Sequence, residues 1–271
     1  MNRIDSIFAD HRRKGEKAIL PFLTAGDPDL ATTGRLLEAV QEAGASICEL
    51  GFAFSDPVAD GPVIESSMAH VLAHGIRFEQ VFELVAQHRS KLHMGLVAMV
   101  SYSIVYRTGT KAFLRDAKQA GIDGLILPDL PLEASASVRD TAAQQGLSYS
   151  LMIAPTTPIG RARQIAKASG GFVYLLSRSG LTGESSALPL DLPERIAALR
   201  SVTDLPIAVG FGIANSKQVR DVLAVADAAV VGSAIMRRVA VHRDQGADMV
   251  VEQVGRFVGQ LAQGLIQGAT S

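Results

Sequence analysis

The sequence predicts a closed (β/α)8 TIM barrel with an extra N-terminal helix and long loops after the second and sixth strands. Three observations carry that expectation. Eight short apolar runs recur along the whole chain, stretches of helical period separate them, and the length of 271 residues lies near the roughly 250 that such barrels use.

The runs, each flanked by Gly, Pro or Asp, are AILPFLTAG at 18–26, ASICELG at 45–51, HMGLVAMVS at 93–101 and DGLILPDL at 123–130. They continue with LSYSLMIAP at 147–155, GFVYLLS at 171–177, PIAVGFG at 206–212 and DAAVVGS at 227–233. Several are apolar on both faces, as a parallel sheet covered by helices requires. Most spacings between them fall between about 20 and 35 residues, the length of a strand–helix–strand step.

The helical stretches follow the same order. Arg12, Arg13 and Lys14 read as the solvated end of a first helix that precedes the barrel. ATTGRLLEAVQEAG turns Leu36, Leu37 and Val40 to one side, with Gly44 expected as its C-cap. FEQVFELVAQHR repeats the pattern with Phe78, Val81, Phe82 and Val85. GTKAFLRDAKQAG should stop at Gly121, and NSKQVRDVLAVA should start from Asn215 as N-cap. Two connections break the rhythm: Gly51 to about Phe78, and RSGLTGESSALPLDLPERI after the sixth run. Barrel enzymes place their chemistry on such loops. An open doubly wound sheet is the rival, but the first run leads into LTAGDPD rather than G-x-G-x-x-G.

Composition narrows the function. Apolar residues make up 48% and charged residues 20%, enough to fold one domain over 1–271 without disulfides or a structural metal. The 26 Lys and Arg against 27 Asp and Glu leave a net charge of −1, which recruits neither nucleic acid nor an anionic membrane. Cys48 is the single cysteine, so no internal disulfide and no thiolate-cluster metal site is expected. The N-terminus is too charged for a signal peptide and no 18-residue apolar run occurs, so a cytoplasmic protein is expected. The six histidines form no metal-binding spacing.

Glu49 is the most informative residue. In A-S-I-C-E-L-G, alternation puts Ile47 and Glu49 on one face and Cys48 on the other, toward the helices. A carboxylate facing the barrel mouth would sit among apolar walls that fit it for proton transfer near neutral pH. A strand-end carboxylate paired with a Lys or Arg is the plain alternative. Asp60, in the A-D-G-P of the next loop, is either a turn residue or a second carboxylate that shares acid and base work with Glu49. The seventh and eighth runs end in GFGIANS and VVGSAIMRRV, and their glycines, with the helix start that follows, suit a phosphate-bearing ligand. Thr182 and Gly183 could add a third side to that site. Asp129 in LPDLP reads either as a loop anchor or as a polar wall of the pocket.

Taken together, PFLTAGDPD, CELGFAFSDPVADGP, LPDLP, YLLSRSGLTG, VGFGI and VVGSA resemble, in order and position, the signatures of the tryptophan synthase alpha family, from about Phe8 to the last helix. The resemblance implies retro-aldol cleavage of indole-3-glycerol phosphate, with Glu49 as catalytic acid and base and Asp60 hydrogen-bonding the indole N–H. It implies an apolar wall of Phe22, Ile64, Val100, Tyr102 and Phe211, with Tyr174 near the glutamate and Thr182 in a closing loop. Gly183, Gly212, Gly232 and Ser233 would hold phosphate. Asp56 and Pro57 would face a beta subunit in an αββα heterotetramer, with pyridoxal phosphate carried only by that partner and no cofactor or metal in this chain. Departures from the family pattern are Ala53 for a usual proline, Glu65 for glutamine and Ile104 for asparagine, all in loops that answer to the partner. Two alternatives stay open: another phosphate-ligand barrel isomerase, and a weakly active paralogue that mainly binds a beta-type partner.

Overall fold

The computed structural model describes residues 2–56, 61–177, 189–210 and 212–265. Nine strands are present among them: β1 (Ala18–Thr24), β2 (Ile47–Gly51), β3 (Gly95–Met99), β4 (Gly124–Ile126), β5 (Ser148–Tyr149), β6 (Met152–Ile153), β7 (Val173–Leu176), β8 (Ile207–Gly210) and β9 (Ala228–Val231). All pairings are parallel, in the order β5-β4-β3-β2-β1-β9-β8-β7-β6.

The two ends of that order are neighbours in the chain. β5 pairs with β4 and β6 with β7, and only Ser150 and Leu151 separate them. Both carry the ladders onward: the Ser150 N–H donates to the Leu125 carbonyl (3.0 Å), and the Tyr174 N–H to the Leu151 carbonyl (3.1 Å). The sheet therefore closes on itself. The run at 147–155 was expected to be one strand and is two short ones, because axial stagger around a barrel lets its first half meet one neighbour and its second half the other.

Alternation along the strands creates two cores. Ala18, Leu20, Ile47, Val97, Ile126, Tyr174, Ala208, Ala228 and Val230 form the inner cluster. Ile19, Leu23, Cys48, Leu50, Leu96, Val209 and Val231 belong to the outer one, against the helices. The N-terminal helix Arg3–Lys14 closes the end of the barrel where the strands begin, contributing Ile4 and Phe8 to the inner cluster. Phe8 meets Phe172 with ring centroids 5.8 Å apart. Gly95 is needed there, since a Cβ would overlap Ile4. Asn2 caps the helix by accepting from the Asp5 N–H (3.0 Å) and also donates to the Ser148 hydroxyl (2.5 Å).

Local signals for the helices hold in most places. Gly121, in left-handed conformation, caps Thr110–Ala120, and the Asn215 side chain accepts from the Gln218 N–H (2.9 Å) at the start of Ser216–Leu223. The helix Leu30–Glu42 ends one residue before the expected cap: Ala43 is the cap and Gly44 (φ 104°) follows it. The larger correction concerns the loops. The stretch from Gly51 to Phe78 contains the helix Pro62–Ala73, and the segment after β3 contains the helix Tyr102–Thr108. Pro62 at the helix start, Glu65 in the first turn, and Ile64, Met68 and Val71 at helical spacing explain the first. Among the described residues no helix is long and apolar enough to cross a membrane.

Candidate active site at the barrel mouth

β2 carries Glu49 on the face of Ile47, which lies in the inner cluster, while Cys48 is fully buried in the outer one. Burial, with Glu49 adjacent, pushes the Cys48 thiol well above its ordinary range, so it serves as a small apolar group rather than a nucleophile. Glu49 is 1% exposed, and its register neighbours on the adjoining strands are Phe22 and Val97. The carboxyl group is therefore flanked by apolar side chains near the ends of the strands.

Phe22 joins this carboxyl group to the rest of the mouth. Its ring lies across Gly51, where a Cβ would overlap Cζ and Cε2. A Cβ built on Gly232 would lie 3.4 Å from the Phe22 Cβ and 3.5 Å from the Ile64 Cδ1. Phe22, Ile64 and Gly232 thus meet at one point, although they come from β1, the helix Pro62–Ala73 and the turn after β9. Val100 is buried just beyond β3 in the same apolar cluster as Phe22 and Ile64. Tyr174 is 4% exposed, and its hydroxyl lies over Gly210, where a Cβ would overlap it.

Gly232 also caps the helix Ser233–His242. Its carbonyl accepts from the N–H groups of Ile235 (2.8 Å) and Met236 (3.0 Å), so the first N–H groups of the helix, those of Ser233 and Ala234, have no acceptor within it. That is the arrangement that attracts an anion. Gly212, at φ 85°, takes the left-handed turn after β8 that a side chain would strain.

Tyr102 is half-buried at the start of its helix. Asp129 holds it: one carboxylate oxygen accepts from the Tyr102 N–H (2.8 Å) and the other from the Ser101 hydroxyl (2.6 Å). Of its two possible roles, Asp129 is a loop anchor. Asp56 is exposed and accepts from the Ser55 hydroxyl (2.7 Å). Beside it a cavity of about 330 Å³ is lined by Ala53, Phe54, Ser55, Leu72, Ile104 and Arg107, so two of the departures from the family pattern share one hollow. Pro57, Asp60, Thr182, Gly183 and Phe211 lie outside the described residues.

The structure also brings together residues that the sequence did not single out. Asp27, fully buried after β1, takes two hydrogen bonds from Arg243, Nε to Oδ1 (3.0 Å) and Nη2 to Oδ2 (2.8 Å), and a third from the Ser67 hydroxyl (2.5 Å). The partners are 216 and 40 residues away in the chain, and no local pattern links them.

A closed parallel barrel with a carboxyl group, an apolar wall and an open helix N-terminus at the C-terminal mouth of its strands defines a TIM barrel of the enzyme type. Comparison with known proteins narrows the class. The family model described as tryptophan synthase alpha chain matches residues 8–265. A tryptophan synthase alpha chain from Geobacter sp. (strain M21) is 40% identical over 269 residues, covering 99% of this chain and 100% of that one. Another from Caldanaerobacter subterraneus is 42% identical over 240 residues, covering 89% and 91%. Among solved structures, the alpha chain from Legionella pneumophila superposes with a TM-score of 0.89 at 28% identity, covering 100% of both chains. A Mycobacterium tuberculosis tryptophan synthase chain gives 0.88 at 30% identity, covering 97% and 98%. The chain belongs to the tryptophan synthase alpha chain family.

Proposed function

We propose that this chain cleaves indole-3-glycerol phosphate to indole and glyceraldehyde 3-phosphate, as the lyase half-reaction of tryptophan biosynthesis. The observation that carries the reading is Glu49, a buried carboxyl group on the inward face of β2, beside Phe22 and close to the point where Ile64 and Gly232 meet.

The chemistry follows from that placement. Indole C3 accepts a proton, which moves positive character onto the ring nitrogen. The hydroxyl on the adjoining side-chain carbon loses a proton, the bond from that carbon to C3 breaks, and its electron pair returns to the ring. One proton is gained and one is lost, so atoms balance without an added reagent. Glu49 performs both transfers, and the Asp60 carboxylate stabilises the charged ring N–H. Phe22, Ile64, Val100, Tyr102 and Phe211 wall the indole, while Tyr174 borders the reacting end. Gly183, Gly212, Gly232 and Ser233 hold the phosphate, and Thr182 belongs to a loop that excludes water. None of these steps calls on a cofactor of this chain.

The partner in this reading is a pyridoxal-phosphate-dependent beta subunit in an αββα assembly, docked over Asp56, Pro57 and the neighbouring cavity. The setting is cytoplasmic. The Ile104 wall makes that cavity more apolar than the usual asparagine would, and Ala53 fills less of it than the usual proline would, which bears on how tightly a partner holds.

The test is indole release by the purified chain, alone and with an equimolar beta subunit, alongside the Glu49→Gln variant. Slow release that rises with the partner and vanishes in Glu49→Gln is expected. Near-normal turnover by Glu49→Gln removes the acid–base role, and no release by the folded wild-type chain in either condition rejects the substrate.

A further inference from the structure

We propose that Asp27 is a positioning residue for anion binding, acting through Arg243 and the helix Ser233–His242. The inference rests on the phosphate reading of Gly232 and Ser233 given above.

Three segments meet at the Asp27 carboxylate. Asp27 belongs to the turn after β1, Ser67 to the helix Pro62–Ala73, and Arg243 is the C-cap of the helix Ser233–His242. Each leads to the mouth. Ile64 lies one turn before Ser67, Phe22 lies on β1, and Gly232 with Ser233 starts the helix that Arg243 caps at its other end. The turn holding Asp27 is itself braced: the Gly26 N–H donates to the Thr33 hydroxyl (2.9 Å), which donates to the Asp29 carbonyl (2.8 Å). His70, on the same helix as Ser67, has its Nε2 3.2 Å from the Pro28 carbonyl.

A ten-residue helix is a rod of about 15 Å, stiff along its axis, so the position of its far end sets that of its first N–H groups. Two parallel charge-assisted hydrogen bonds fix Arg243 in angle as well as distance, which a single contact would not do. The Ser67 hydroxyl donates to the same Oδ2 that Arg243 Nη2 binds, and so fixes the orientation of the carboxylate that Arg243 reads. Asp27 therefore holds the helix that presents the anion-binding N–H groups in register with the turn after β1. A buried ion pair is a poor device for stability alone, since its desolvation offsets most of the attraction. Its directional geometry is what apolar packing would not reproduce.

The experiment is calorimetric titration of the full chain with glycerol 3-phosphate and, separately, with indole, in wild type, Asp27→Asn and Ser67→Ala, with thermal midpoints recorded for each. The expected result is a loss of glycerol 3-phosphate affinity of about tenfold in Asp27→Asn and about threefold in Ser67→Ala, with indole affinity kept within about twofold. Should Asp27→Asn not fold, Ser67→Ala decides, because it removes one hydrogen bond and leaves the ion pair. Unchanged glycerol 3-phosphate affinity, or an equal loss for both ligands, overturns the inference and makes Asp27 a stability element only. A wild-type chain that binds no glycerol 3-phosphate removes the phosphate reading and the inference with it. Phosphate binding without cleavage of the indole substrate would leave the inference standing and the proposed reaction rejected.

Discussion

Gly51→Ala tests whether the Phe22 ring defines the shape of the mouth. The added Cβ would overlap the ring at Cζ and Cε2 and touch Cε1 at 3.4 Å, with no other atom among its three nearest neighbours. Phe22 is 4% exposed and is bounded by Gly232 and Ile64, so the ring has little room to retreat. Overpacking of this kind costs about 1–3 kcal/mol. Leucine has no atoms beyond Cδ, so Phe22→Leu deletes all three of the ring atoms that the new methyl would meet. By itself that variant costs about 1–2 kcal/mol in lost burial. In the double variant the overlap is gone, and the combined cost should fall short of the sum by at least about 1 kcal/mol. Urea unfolding of the four proteins at matched slope measures this directly. Indole release should follow the same order, low in Gly51→Ala and partly recovered in the double variant. Strictly additive costs would refute the argument, because they would mean that the backbone of β2, and not the ring, accommodates the methyl group.

Other outcomes follow from the same geometry. Burial alone would raise the Asp227 carboxyl, but hydrogen bonds from Arg200 and the Ile207 N–H (2.8 Å), with Lys17 at 3.6 Å, outweigh it and hold the group below its ordinary 3.8. Asp227→Asn should cost about 1.5–3 kcal/mol at pH 7. Because the folded value is the lowered one, that difference should persist above the ordinary carboxylate range and close as pH falls through the folded value, as denaturation at stepped pH would report. Phe8→Ala empties a buried ring site at the closed end of the barrel and should lower stability by about 3–5 kcal/mol in urea unfolding. With the mouth untouched, its kcat for indole release should stay near wild type. Asp129→Ala removes both anchors of the Tyr102 helix and should raise KM more than it lowers kcat, and a change confined to kcat would place Asp129 nearer the chemistry.

Local pattern was enough for a large part of this molecule. Period-two alternation in A-S-I-C-E-L-G by itself sets Glu49 and Cys48 on opposite faces, and Ile47, on the face of Glu49, lies in the inner cluster while Cys48 lies in the outer one. The cap residues Asn215 and Gly121 were legible because capping is decided within a few residues. The family motifs themselves were readable as strings. Tertiary structure decided what depends on distant partners. LSYSLMIAP looks like one strand, and only closure of the barrel divides it between two neighbours. Pro62–Ala73 carried helix signals, but the turn chemistry of D-G-P just before it masked them. Phe22, Ile64 and Gly232 converge because three separate elements pack, and Asp27 meets Arg243 across 216 residues. A periodicity reports which face of an element is buried and never what lies opposite it, so those meetings exist only once the chain has folded.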